Sequence, residues 1–116
     1  GVKIASAHGG GYLPSYIGRF DHGHNSADRG GRGLEQKKPS EYIKNLYFDT
    51  LVYGTQNLEH LIKEVGVSQL MLGTDHDFGM TNRNPIAHIL SVKGLKEEEI
   101  ESILYGTAKK LFKINI

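Results

Sequence analysis

The sequence contains no cysteine, which excludes disulfides, thiolate metal sites and cysteine nucleophiles at one stroke and fits a reducing compartment, the cytoplasm by default. No apolar run approaches the ~20 residues needed to cross a bilayer, and Gly1-Val2-Lys3-Ile4 carries no signal-peptide pattern. Neither charge sign dominates: 14 basic and 13 acidic side chains leave a formal charge of +1. No global field therefore draws nucleic acid or an anionic membrane. The six tyrosines are scattered with no basic stripe between them, which also argues against nucleic-acid binding. No internal repeat of fixed period and no second domain are evident.

The 116 residues, 38% hydrophobic and 23% charged, suit one soluble domain with one core. The residues from Lys3 to Ala7 read as a short strand that delivers His8 into the triple glycine Gly9-Gly10-Gly11. From Tyr12 to Pro39, including "SADRGGRGLEQKKP", neither helical nor strand periodicity holds, and most of it reads as a long loop. Ser40 is placed to cap a helix that has Glu41 in its first turn and Tyr42, Ile43 and Leu46 on one face.

Leu46 to Tyr53 reads as a second strand. Thr55 is placed to cap a helix striped by Leu58, Leu61, Ile62 and Val65 and stopped at Gly66. Val67 to Thr74 is the third strand. Ile86, Ile89 and Leu90 predict a short helix, and Lys96 to Phe112 one or two more, with Ile100, Ile103, Leu104, Ala108 and Leu111 inward. Glu97, Glu98 and Glu99 fall where a helix dipole favours negative charge.

Strands alternating with helices predict an α/β fold with a parallel sheet and a ligand site beyond the C-terminal strand ends. Each strand ends in polar chemistry: His8, Asp49 and Asp75. That is the pattern of a (β/α)8 barrel's active face, but a barrel needs about 250 residues and three strands cannot close one.

Four ordered segments, "HGGGYLPSYIGRFDHG" (8–23), "LYFDTLV" (46–52), "LMLGTDHDF" (70–78) and "ILYGTAKKLFKI" (103–114), resemble the C-terminal portion of the metal-dependent amidohydrolase superfamily. Within it the chain most resembles the branch of aminocarboxymuconate-semialdehyde decarboxylase and related non-oxidative decarboxylases and hydrolases. The resemblance implies that residues 1–116 are a C-terminal fragment supplying strands six to eight of a TIM barrel. A start at Gly1 agrees with a processed or partial chain.

The resemblance further implies zinc, held in the family by a first-strand His-x-His pair, a fifth-strand histidine and an eighth-strand aspartate. Only Asp75 matches one of these. It is expected to ligate the ion and to handle a proton, and carboxylate oxygen suits zinc. His8 resembles the sixth-strand acid or base, a role for which imidazole is well suited near neutrality. Arg19 matches an arginine that binds a substrate carboxylate, sometimes in a neighbouring subunit's site.

His76 and Asp77 flank Asp75 and are expected to tune it from outside the ligand set, although many family members carry proline where Asp77 stands. Asp49 is expected to be structural. His22 and His24 are expected in the loop, with a fortuitous metal site between them left open, and His60 and His88 at solvated helix positions. The implied activity is decarboxylation of a carboxylated ring or dienoate by a zinc enzyme. Hydrolysis of a C–O or C–N bond, or an inactive chain that needs a homo-oligomer or a missing N-terminal half, stand beside it.

Overall fold

A computed structural model describes residues 1–26 and 37–115. Three short parallel strands, β1 (Ala5–Ser6), β2 (Tyr47–Asp49) and β3 (Leu70–Met71), form one sheet in the order β1-β2-β3. Ser6 pairs with Phe48, Phe48 with Leu70, and Asp49 with Met71. The order expected from the alternation of strands and helices is therefore present.

The strands are shorter than their apolar runs. Val67–Gln69 coils into a single helical turn before β3, and Gln69 donates through Nε2 to Lys44 O and Leu46 O, both at 2.7 Å. Past β2, the Thr50 N–H still donates to Met71 O at 3.0 Å, and then the chain turns. Apolar character extends beyond the ladder because the flanks are buried too; Leu51 is only 4% exposed.

Helices follow each strand: α1 (Ile17–Asn25), α2 (Pro39–Ile43), α3 (Thr55–Val65), α4 (Pro85–Leu90), α5 (Glu97–Glu101) and α6 (Thr107–Phe112). The core is Phe48 and Leu70 from the sheet, Leu58 and Leu61 from α3, Ile89 from α4, and Ile103 from a wide π-turn (Ser102–Gly106) between α5 and α6. The α3 stripe is as expected, with Leu58, Leu61 and Val65 buried, Ile62 packed beside them, and Gly66 at φ 87° closing the helix through its N–H to Ile62 O. The π-turn also serves the sheet. Leu72 N–H, just past β3, donates to Ile103 O at 2.8 Å, so the π-turn covers that edge.

Three expectations are corrected. The predicted loop from Tyr12 contains α1, because Leu13 and Ile17, one turn apart, pack on the core and outweigh two glycines of poor helix propensity. Residues 27–36 of that loop lie outside the described residues. Ser40 is not a cap: Lys38 holds that position, Pro39 opens α2, and the Glu41 carboxylate accepts the Lys38 N–H at 3.2 Å. Thr55 is likewise the first residue of α3 rather than its cap. Gly54 at φ 83° makes the entry, which frees the Thr55 hydroxyl to meet Ser91 Oγ at 2.7 Å.

No helix among the described residues is long and apolar enough to cross a membrane.

Candidate active site

The end of β1 turns left-handed. His8, Gly9, Gly10 and Gly11 all have positive φ, between 56° and 78°. Glycine adopts this backbone freely, and space demands it too: a Cβ on Gly10 would lie 2.6 Å from the Phe48 ring, and one on Gly9 would overlap Val52. His8 has no such excuse, since a non-glycine residue there costs about 1–2 kcal/mol.

Asp49, at the end of β2, supplies the compensation. Its Oδ2 accepts the His8 N–H at 2.9 Å, while Oδ1 accepts those of Gly9 at 2.9 Å and Leu51 at 3.0 Å. Hydrogen bonds to a charged group are worth roughly 1.5–3 kcal/mol each, so the pair at His8 and Gly9 outweighs the backbone strain. The sequence marked Asp49 only as structural. The available signal was an aspartate at the end of one strand with Gly73 close behind the next.

The turn carries the His8 imidazole to Asp75. Nε2 lies 3.6 Å from Asp75 Oδ1, with His8 largely exposed and the Asp75 side chain 19% exposed. Asp75 is also left-handed, at φ 56°, and its carbonyl is held by the Phe78 N–H at 3.0 Å and the Thr81 hydroxyl at 2.9 Å. His8 and Asp75 line a hollow of about 230 Å³ with Leu51, Tyr53 and Met80. Tyr53, at φ 43°, donates through its hydroxyl to Met80 O and so closes one wall. Neither Tyr53 nor Met80 was expected at the site.

The other candidates separate from this pair. Arg19 lies on α1 and lines a different, open hollow with Tyr12, Tyr16, Phe20 and His22. Tyr12 stacks edge-on against Tyr16, with ring centroids 6.1 Å apart, and tilts against Phe20 at 6.2 Å. His22 and His24 occupy the last turn of α1 rather than a loop. His76 and Asp77 do not buttress Asp75; both are exposed, and they pair with each other at 2.7 Å. His60 is exposed as expected, 4.0 Å from Glu64. His88 is half-buried rather than fully solvated: its Nε2 sits 3.2 Å from Gly54 O and its Nδ1 is buried without a partner among the described residues.

Chemically, an imidazole and a carboxylate facing one hollow can hold and pass a proton. They are two donors, and among the described residues no three His, Asp or Glu side chains gather as a metal site. Zinc takes three or four protein ligands. The described residues alone therefore do not complete a metal centre; Asp75 offers one carboxylate that could hold an ion.

A model of the amidohydrolase family matches residues 1–114. The chain belongs to the amidohydrolase family. Within it, the chain falls in the aminocarboxymuconate-semialdehyde decarboxylase-like branch. It is similar to the 2-amino-3-carboxymuconate-6-semialdehyde decarboxylase of Dictyostelium discoideum, with 35% identity over 107 residues, covering 92% of this chain and 30% of that protein. It is also similar to the crystal structure of 5-carboxyvanillate decarboxylase from Sphingomonas paucimobilis, with a TM-score of 0.81 and 26% identity, over 97% of this chain and 34% of that one. A dihydroxybenzoic acid decarboxylase from Polaromonas, solved with bound manganese and 2-nitroresorcinol, gives a TM-score of 0.76 and 26% identity over 98% and 34% of the two chains. This amidohydrolase chain thus spans about a third of the length of the relatives it matches.

Proposed function

We propose that the chain is the C-terminal, three-βα-unit part of a (β/α)8 barrel in a divalent-metal-dependent, non-oxidative decarboxylase of a carboxylated ring or dienoate. The observation that carries this reading is the meeting of His8 and Asp75, from the two outer strands of a parallel sheet, at 3.6 Å beyond the strand ends. The relatives' activities support the reaction class, and manganese in one of them supports a divalent metal without selecting zinc. The absence of cysteine agrees with a reducing compartment such as the cytoplasm.

In this reading a bound divalent ion supplies Lewis acidity toward the substrate's oxygen atoms. His8 delivers a proton to the carbon that bears the carboxylate; the C–C bond then breaks, its electron pair returns to the ring or diene, and carbon dioxide leaves. Asp75 contributes one ligand oxygen and holds the imidazole's proton in register. Arg19 lines a hollow separate from that of His8 and Asp75; in this reading it serves a carboxylate in the site of a second copy of the chain, and the active form is a homo-oligomer.

The test is carbon dioxide release by a full-length decarboxylase containing this chain, with added manganese or zinc, from 2-amino-3-carboxymuconate-6-semialdehyde and from hydroxybenzoates. Arg19→Ala is expected to lower kcat/KM roughly 100-fold, the scale of losing one partner of a buried charge pair. Release of carbon dioxide from none of them, or hydrolysis of a neutral ester untouched by Arg19→Ala, overturns the proposal in favour of a hydrolase.

A further inference from the structure

Asp49 is the only carboxylate within the three strands; among the described residues it forms no ion pair and does not line the His8–Asp75 hollow, yet it accepts three backbone N–H groups. Two of them belong to His8 and Gly9, about forty residues earlier in the chain. The turn's own bonds run elsewhere, from Gly10 N–H to Ala7 O and from Gly11 N–H to His8 O. The His8 and Gly9 donors have no acceptor besides this carboxylate among the described residues.

The third strand fixes the carboxylate in turn. An alanine Cβ built on Gly73, two residues past β3, would lie 2.6 Å from Asp49 Cβ, 3.0 Å from its Cγ and 3.2 Å from its Oδ2. Gly73 does not have a positive φ, so backbone conformation does not call for glycine there; close approach of the Asp49 side chain does. The His8 turn, Asp49 and Gly73 thus interlock across all three strand ends.

We infer that Asp49 is a positioning residue: its carboxylate, seated on Gly73, clamps the His8–Gly9 backbone and sets the imidazole against Asp75. It touches no reacting atom. The inference rests on the decarboxylase reading for its catalytic consequence, but the clamp itself can be measured without any activity.

The first experiment is amide hydrogen exchange by NMR on the wild-type protein. The amide of His8, an exposed residue, is the diagnostic one, since Gly9 is itself buried; it is expected to exchange at least tenfold more slowly than the neighbouring exposed Tyr12 amide. Exchange at the unprotected rate overturns the clamp even if no variant folds. The second is Asp49→Asn, which keeps Oδ1 for Gly9 and Leu51 but puts an amide donor opposite the His8 N–H. His8 protection should fall at least tenfold while Phe48 and Leu70 amides keep theirs; unchanged His8 protection overturns the inference. In the full-length decarboxylase the same variant should lower kcat 10- to 100-fold with KM within twofold, as misplacement of a proton donor does. A raised KM with unchanged kcat overturns the positioning role. A wild-type enzyme that is inactive on all carboxylates, with the exchange results as expected, removes the decarboxylase reading and leaves the clamp standing.

Discussion

Replacing Gly73 by alanine puts one methyl group into the contact between β3's end and Asp49. Carbon atoms sit best about 3.5–4.0 Å apart, so a Cβ at 2.6 Å from Asp49 Cβ is too close by about 1 Å. Gly73 has no positive φ, so steric overlap alone sets the cost. If the carboxylate retreats by that distance, its 2.9 Å bonds to His8 and Gly9 stretch beyond hydrogen-bonding range. Overpacking costs roughly 1–3 kcal/mol, and loss of partly solvated charge-assisted bonds adds about 1–2 kcal/mol. Equilibrium urea unfolding should therefore show a loss of roughly 2–5 kcal/mol. Gly23→Ala is the matched control. Gly23 lies inside α1 with nothing within 4 Å of an added Cβ, so alanine should be neutral or stabilise by up to about 1 kcal/mol. Gly73→Ala within about 0.5 kcal/mol of wild type would refute the interlock.

Two further outcomes follow from packing and charge. Phe48→Ala, at the fully buried centre of the sheet, should cost roughly 3–5 kcal/mol in the same unfolding experiment; a loss under 1 kcal/mol would place the core elsewhere. Asp21 on α1 is held below the ordinary carboxylate range by hydrogen bonds from Ser40, hydroxyl first and backbone N–H next, aided by Lys38 and His24. A depressed folded-state value means that this contribution is complete above the unfolded aspartate range and is lost as pH falls through the lowered folded value. The acid side of a stability–pH profile should accordingly flatten in Asp21→Asn, and an identical acid slope in the variant would contradict the contact between α1 and α2.

The strand–helix order was legible because strand ends bearing polar residues are a local pattern; that pattern offered His8, Asp49 and Asp75 alike, and only the family resemblance singled out His8 and Asp75. The boundaries were not legible. Thr55 and Ser40 have the side chains of caps, but Gly54 and Pro39 fix the backbone at those entries and the hydroxyl and N–H find partners on other helices. Helix α1 was hidden because its glycines and histidines outvote Leu13 and Ile17 in composition, although those two side chains decide where the segment packs. Asp49 was undervalued for a related reason. Its worth lies in bonds that span 40 and 41 residues, and no window of sequence contains both ends.

The most direct measurement is the metal content of the full-length protein that contains this chain, wild type and Asp75→Ala, by elemental analysis after size fractionation and dialysis against a weak chelator. One divalent ion per chain in the wild type, falling below a tenth in Asp75→Ala and kept in Asp49→Asn, is the predicted result. Asp75→Ala retaining its ion would show that Asp75 is not a ligand and would contradict the reading of the His8–Asp75 pair as part of a metal-dependent active site.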